Sequence, residues 1–122
     1  MTEALLVLVH GTPRPESNAE MFRVVEEVKG RKAYPIVQVG FMECNEPSIP
    51  EAIALCVAEG ATSIVAVPYF LHTGTHVADD LPGLLEEAQA SYPDVKFTMG
   101  RYIGPSPRIT DILAERASSI TG

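Results

Sequence analysis

The three histidines of the sequence, His10, His72 and His76, are its clearest candidates for metal binding and proton transfer. Neutral imidazole binds borderline transition metals, and near its reference pKa of about 6.5 it also accepts a proton at neutral pH. A carboxylate such as Glu43 adds negative charge that holds a cation or relays protons. Two imidazoles and one carboxylate leave coordination positions open for a further ligand. These residue types therefore predict a site that handles a metal ion, protons or both.

The segment that carries two of these histidines is the most informative part of the sequence. His72 and His76 are four residues apart, a spacing that would place both on one face of a helix. The Thr-Gly-Thr between them argues against a helix there, so we expect only one of the two to contact a metal directly. Tyr69, Phe70 and Leu71 precede them and either line a flat hydrophobic cavity or belong to the core.

Signatures of other common sites are missing. The sequence contains no GxGxxG, no P-loop lysine motif, no GxSxG and no HExxH. Dinucleotide binding, nucleoside triphosphate hydrolysis and the usual hydrolase arrangements therefore lack support.

Four short apolar runs rich in β-branched residues predict strands at 4–9, 34–41, 62–68 and 95–99. The first and third runs are almost continuously apolar, as is typical of strands covered on both faces. Such strands favour a parallel sheet flanked by helices.

Segments with helical periodicity separate these runs. The first has a Ser-x-x-Glu capping box that predicts a start at Ser17, and Gly30 closes it. The second segment has the same kind of capping box at Ser48 and is expected to stop at Gly60. Cys56 lies on the apolar stripe of this helix, so we expect it in the core.

Two further helices complete the alternation. The third is expected to begin near Asp79 or Asp80, with Pro82 tolerated in its first turn. The fourth is expected to begin at Ser106-Pro107. It should bury three apolar side chains, Ile109, Ile112 and Leu113.

The resulting β-α-β-α-β-α-β-α order predicts an α/β fold: a three-layer, doubly wound, four-stranded parallel sheet with helices on both faces, as in flavodoxin-like proteins. We expect one domain over 1–122. Ligands of such sheets bind beyond the carboxyl ends of the strands. His10, Glu43, the 69–76 segment and Arg101 all leave predicted strands at that edge.

Composition excludes several classes of protein. Apolar residues make up 46% of the 122 residues and charged residues 20%, a globular balance. The net charge of -7 has the wrong sign for wrapping nucleic acid or lying on an anionic membrane. Apolar runs are far shorter than the roughly 20 residues of a spanning helix, and the first residues are not those of a basic signal peptide, so we expect a cytoplasmic protein.

Cys44 and Cys56 have no CxxC spacing and are expected to be free thiols.

Three motifs together resemble one family. They are the His-Gly-Thr that ends the first strand with an arginine close behind, the Phe-Met-Glu that leaves the second, and Pro-Tyr-Phe-Leu-x-x-Gly-x-His-Val-x-x-Asp-Leu-Pro after the third. The sequence is similar in nearly its whole length to the sirohydrochlorin chelatases of the CbiX and SirB type. The resemblance implies a chelatase that inserts a divalent metal, cobalt or iron and possibly nickel, into a tetrapyrrole for cobalamin, siroheme or a related pathway. The metal would be a substrate, and no permanently bound cofactor is expected.

The resemblance also implies roles for individual residues. His10 and His76 correspond to the active-site histidines of the family and Glu43 to its acid, all three contacting the metal. His72 is not required by the pattern, so it either supports the site indirectly or takes no part. Family members commonly have arginine directly after His-Gly-Ser/Thr, whereas here Pro13 intervenes before the arginine.

Sirohydrochlorin carries many carboxylates, so bases must gather locally on an acidic protein. Arg14 and Arg101 could do this at the proposed edge, with Tyr69 and Phe70 against the ring. A four-stranded domain offers only a shallow edge for so large a ligand, and we therefore expect a two-fold homodimer with the macrocycle between the subunits.

Two alternatives use the same residues. One is a noncatalytic metal or tetrapyrrole carrier that only binds through the histidines. The other is a metal-dependent hydrolase in which His10, His76 and Glu43 form a His₂Glu site.

Overall fold

The computed structural model describes residues 2–121 and contains four strands alternating with four helices. The strands are β1 (Glu3–Val9), β2 (Ile36–Phe41), β3 (Ser63–Pro68) and β4 (Lys96–Met99). The helices are α1 (Pro15–Gly30), α2 (Ile49–Ala58), α3 (Leu81–Ser91) and α4 (Pro107–Thr121). A π-helical turn, His76–Asp80, leads into α3. The predicted alternation is confirmed, with strand limits within two residues of those expected from the apolar runs.

All four strands are parallel and lie in the order β2-β1-β3-β4. Leu6 of β1 lies opposite Gln38 of β2 and Ala66 of β3, so the central strand is paired on both sides. The chain winds outward from β1 in both directions, which confirms the predicted doubly wound α/β fold. The carboxyl ends of the strands form one edge, with the exits of β2, β1, β3 and β4 in that order.

The larger core lies between the sheet and the helices α2 and α3. Leu6, Leu8 and Ile64 of the sheet are fully buried there, beneath Ile53 of α2 and Leu85 of α3, among others. Cys56 belongs to this core and is fully buried, as its position on the apolar stripe predicted.

A smaller core lies on the opposite face of the sheet, beneath α1. Val7 of β1 and Val39 and Phe41 of β2 pack there against Val25 of α1. Helices therefore cover both faces of the sheet, and the three-layer arrangement that was predicted is present.

The start of α1 differs from the prediction. The helix begins at Pro15, with Arg14 in the N-cap position making no side-chain cap hydrogen bond, so Ser17 lies inside the first turn. Proline suits the first helical position because its φ is already helical and its missing N–H has no partner to lose. In α2, by contrast, the predicted capping box is confirmed, with Ser48 and Glu51 bonding each other's backbone N–H.

The helical path into α3 begins earlier than expected. Asp79 and Asp80 do not start the helix, because the π-helical turn already begins at His76. The N–H of Leu81 bonds the carbonyl of His76, and that of Ala78 bonds Gly74. The wider turn tolerates Pro82, which has no N–H to donate. His72 precedes this turn in a bend, so the prediction of no helix between the two histidines is confirmed up to Gly74.

The packing expected for α4 is wrong in two of three positions. The helix begins at Pro107 as predicted, but Ile112 is 45% and Leu113 71% exposed, and only Ile109 is half-buried. Neither core of residues 2–121 contains a residue of α4. Periodicity identified the apolar stripe correctly, but neither core within residues 2–121 covers it.

Two predictions from composition can also be compared with the structure. Cys44 is exposed and Cys56 is buried, and both are free thiols, as expected. Among residues 2–121, no helix combines the length and the apolar character that crossing a membrane would require.

Candidate functional site

Three of the predicted site residues converge at the carboxyl edge of the sheet, although they come from distant parts of the chain. His10 follows β1, Glu43 follows β2 and His76 opens the turn that leads into α3. The ring centroids of His10 and His76 are 5.0 Å apart, and Nε2 of His10 lies 3.1 Å from Oε1 of Glu43. The loops that follow β1, β2 and β3 thus place His10, Glu43 and His76 side by side.

Backbone contacts between the loops after β1 and β2 hold His10 beside Glu43. The N–H of Glu43 donates to the carbonyl of His10 at 3.1 Å, and the side chain of Asn45 accepts from the N–H of Thr12 at 2.8 Å. Gly11 has a φ of +95°, and a Cβ there would overlap the carbonyl of Glu43. Only glycine allows this close approach. Asn45 was not singled out from the sequence, because its partner lies 33 residues away.

The hydrogen bond that Nδ1 of His10 makes determines whether Nε2 of the same ring carries a proton. Nδ1 lies 3.0 Å from the carbonyl oxygen of Gly11, which can only accept, so Nδ1 carries a proton. Nε2 faces the carboxylate of Glu43, and a neutral imidazole has only one N–H. The contact therefore needs either a proton shared between Nε2 and the carboxylate or a cation between the two side chains. The pair is thus suited to exchanging a proton for a metal ion.

His76 is held by a carboxylate of its own. Its Nδ1 lies 2.7 Å from Oδ2 of Asp80, and the two residues are four apart on the helical turn. A carboxylate can only accept, so the proton is on Nδ1 and the lone pair of Nε2 is available as a ligand or base. From the sequence, Asp80 is a candidate helix start and a residue of the motif that follows the third strand, with no role in the site assigned to it. Its i, i+4 relation to His76 would have indicated this contact if the turn had been predicted to be helical.

The site is open to solvent in the single chain. The side chains of His10 and His76 are 46% and 47% exposed, and that of Glu43 is 58% exposed. Well-formed grooves lie elsewhere, for example between α2 and α3 beside Ile53 and Leu84, and do not include the three residues. As they stand, residues 2–121 contain no group of three His, Cys, Asp or Glu side chains arranged to hold a metal ion.

The residues predicted to bind a tetrapyrrole lie along the same edge but differ in exposure. Tyr69 is 40% exposed, whereas Phe70 is half-buried and packs against the larger core. Arg101 is exposed beyond β4, and Arg14 is exposed at the start of α1, where its guanidinium lies 3.8 Å from Glu16. Strands lie about 4.8 Å apart, so the edge from β2 to β4 spans roughly 14 Å.

Curated proteins of two lengths are similar to this chain. A chloroplastic sirohydrochlorin ferrochelatase of Arabidopsis thaliana is 33% identical over 114 residues, which cover 93% of this chain and 51% of that protein. A sirohydrochlorin cobaltochelatase of Methanocaldococcus jannaschii is 34% identical over 139 residues, which cover 94% of this chain and 97% of that protein. The chain therefore spans about half the length of the first relative and almost all of the second.

A solved structure has the same fold. The crystal structure of the sirohydrochlorin chelatase SirB from Bacillus subtilis subspecies spizizenii, in complex with cobalt, superposes with a TM-score of 0.93 at 29% identity. The match covers 98% of this chain and 51% of that chain. The CbiX family model matches residues 4–120. Together with the fold and the clustered histidines, this match shows that the chain belongs to the CbiX family of sirohydrochlorin chelatases.

Proposed function

We propose that this protein inserts a divalent metal ion into sirohydrochlorin. The reaction replaces two pyrrole N–H protons by one M²⁺ ion, so it needs groups that hold a cation and groups that accept protons. The observation that carries the proposal is the 5.0 Å separation of the His10 and His76 rings, with Glu43 3.1 Å from the first. Sirohydrochlorin ferrochelatases and cobaltochelatases among the relatives support the same chemistry.

The His10–Glu43 pair would receive the metal. Its contact needs a shared proton or a cation, and a metal ion bound to Nε2 would take the place of that proton. An imidazole and a carboxylate occupy few coordination positions, so the ring nitrogens can complete the shell and remove the metal. Weak, incomplete coordination suits a metal that is a substrate.

His76 would accept a pyrrole proton. The carboxylate of Asp80 on Nδ1 fixes the tautomer and stabilises the imidazolium that forms when Nε2 takes up the proton. The roles of the two histidines are thus divided by their partners, since one faces a carboxylate through Nε2 and the other through Nδ1.

The ring would lie along the open edge of the sheet. Tyr69 and Leu71 are 40% and 60% exposed there and offer apolar surface to the macrocycle. Arg14 and Arg101 would bind its carboxylates, which a net charge of -7 otherwise repels. Because the edge covers only one side of a ring, we also propose that two copies enclose it between them.

The test is an anaerobic absorbance assay with purified protein and excess sirohydrochlorin and metal, comparing Co²⁺, Fe²⁺ and Ni²⁺ with the spontaneous rate. His10→Ala and His76→Ala should each lower the insertion rate by roughly a hundredfold or more, because each removes a group that binds metal or accepts a proton. His72→Ala is the matched control, since His72 is an exposed histidine in the same segment that the proposal does not use. Its rate should equal that of the wild type.

Two results would contradict the proposal. Unchanged insertion rates in folded His10→Ala and His76→Ala would show that neither histidine takes part in the reaction. A single stoichiometric turnover with excess substrates would indicate a carrier in place of an enzyme.

A further inference from the structure

The turn that carries Glu43 has a strained backbone. Cys44, the next residue, has a φ of +67°, in the left-handed region that residues other than glycine rarely adopt. The N–H of Asn45 donates to the carbonyl of Glu43 at 2.8 Å, so residues 43–45 form a γ-turn of the uncommon, strained kind. Strained backbone persists only where surrounding contacts hold it. This turn therefore depends on contacts from outside residues 43–45.

Two hydrogen bonds to the loop after β1 supply such contacts, one on each side of Cys44. Before it, the N–H of Glu43 donates to the carbonyl of His10 at 3.1 Å. After it, the side-chain oxygen of Asn45 accepts from the N–H of Thr12 at 2.8 Å. The first bond joins backbone atoms and tolerates substitution of either side chain. The second depends on the identity of residue 45, which is half-buried.

The carboxylate of Glu43 has little else to position it. Its side chain is 58% exposed, and within residues 2–121 His10 is its only ion-pair or hydrogen-bond partner. The backbone of the turn thus decides whether the carboxylate lies beside the ring of His10. Without the bond from Asn45, the backbone at Cys44 could relax to a negative φ and shift the peptide group that follows Glu43.

The separation that the turn maintains suits two ligands of one metal ion. Two donor atoms that are each about 2.1 Å from a metal, and about 90–100° apart around it, lie about 3.0–3.2 Å from each other. Nε2 of His10 and Oε1 of Glu43 are 3.1 Å apart. A cation can therefore bind both atoms with little movement of either side chain.

We propose that Asn45 is a positioning residue for metal uptake. By accepting the N–H of Thr12 it holds the strained turn, and the turn keeps the carboxylate of Glu43 at binding distance from His10. The inference rests on the proposed function, in which this pair receives the metal, and adds a residue that sets the affinity without contacting the ion. His76 is held separately by Asp80, so its acceptance of a proton should not depend on Asn45.

The first experiment titrates Co²⁺ alone into untagged protein and measures binding by calorimetry. The heat that His10→Ala removes belongs to the site. Asn45→Leu keeps a similar shape without the acceptor and should weaken Co²⁺ binding by roughly tenfold or more, as is typical when a partner of a metal ligand is lost. Asn45→Asp keeps an acceptor oxygen. It should bind within about threefold of the wild type or more tightly, because its added charge also attracts the cation.

The matched control is Gln89→Leu, which removes another side-chain amide that bridges distant backbone. Gln89 donates to the carbonyl of Val95 at 2.8 Å and accepts from the N–H of Phe97 at 3.4 Å, joining α3 to β4 at the far end of the sheet from the site. Gln89→Leu should lower stability in urea and leave the affinity for Co²⁺ unchanged. Equal losses of affinity in Gln89→Leu and Asn45→Leu would indicate general loosening and would contradict a positioning role.

The second experiment separates metal uptake from the later steps in the insertion assay. With saturating sirohydrochlorin, Asn45→Leu should raise KM for Co²⁺ by about the factor found for the dissociation constant, and kcat should stay near that of the wild type. Saturating metal fills the site despite the weaker binding, and His76 is unaltered. A lower kcat with an unchanged KM for Co²⁺ would overturn the inference.

The outcomes also separate this inference from the chelatase proposal. Unchanged affinity for Co²⁺ in Asn45→Leu, or equal losses in Asn45→Leu and Asn45→Asp, would overturn the positioning role. The calorimetry contains no tetrapyrrole. Binding of Co²⁺ that depends on His10 and Asn45, in a protein that inserts no metal, would therefore overturn only the proposed function.

Discussion

At the scale of single residues, the carboxylate of Asp80 decides which nitrogen of His76 is available for chemistry. Partners of this kind typically change metal affinity or activity by about 10–100-fold when removed. We therefore expect Asp80→Ala to lower the rate of metal insertion within that range. Asp80→Asn should have a smaller effect, because an amide oxygen still accepts from Nδ1 but does not stabilise an imidazolium.

The control for this prediction is the neighbouring Asp79→Ala, which removes an exposed carboxylate from the same turn. Steady-state rates and metal titrations of the three variants make the comparison. Equal losses of insertion rate in Asp79→Ala and Asp80→Ala would indicate a general effect of charge near the site. They would contradict a specific role for Asp80.

The two thiols should differ strongly in reactivity. Burial raises the pKa of the Cys56 thiol to about 12, and the nearby Glu59 adds to the shift, whereas Cys44 is exposed. Because the thiolate is the reactive form, one thiol per chain should react with a maleimide in the native protein and the second only after unfolding. Mass spectrometry of the labelled peptides measures this, and rapid native labelling of Cys56 would contradict the described core.

At the scale of elements, the contact between the loops after β1 and β2 depends on a glycine. Gly11→Ala places a Cβ against the carbonyl of Glu43 at a φ that disfavours any side chain. We expect a loss of about 3 kcal/mol in the free energy of unfolding, measured by urea denaturation. Gly30→Ala at the exposed end of α1, where a Cβ meets nothing, is the control and should cost little. A neutral Gly11→Ala would mean that the two loops are not in contact.

The capping box of α2 predicts a dependence of stability on pH. The backbone N–H and hydroxyl of Ser48 bond the carboxylate of Glu51 and lower its pKa in the folded state. The stabilisation is therefore present above the unfolded-state pKa of Glu51 and is lost as the pH falls through the lower folded-state value. Urea midpoints between pH 7 and acid should fall more steeply for the wild type than for Glu51→Gln, and identical slopes would contradict the capping role.

At the scale of the whole molecule, the open edge links assembly to activity. If the macrocycle lies between two copies, the rate per chain should fall on dilution in parallel with the dimer fraction, because a single chain exposes both histidines to water. Insertion rates and sedimentation at matched concentrations measure the two curves. Undiminished activity at concentrations where the chain is monomeric would place the ring on a single copy.

Much of this architecture could be predicted from local patterns. The alternation of apolar runs with amphipathic segments determined the parallel α/β sheet, because each element must bury its own apolar side. The positions of His10, Glu43 and His76 after successive strands determined that they share one edge, since parallel strands end together. The buried state of Cys56 and the capping box at Ser48 likewise follow from local spacing.

Contacts between distant segments, and the form of one local turn, were decided only by the tertiary structure. The bond from Asn45 to the loop of His10 spans 33 residues, and the overlap that requires Gly11 involves a carbonyl from another loop. The pairing of Asp80 with His76 depends on a π-helical turn. This turn could not be predicted, because the preceding Thr-Gly-Thr argues against helix. The stripe of α4 is visible in the sequence, but which surface it faces is not, because periodicity reports that a helix has an apolar side and is silent on what covers it.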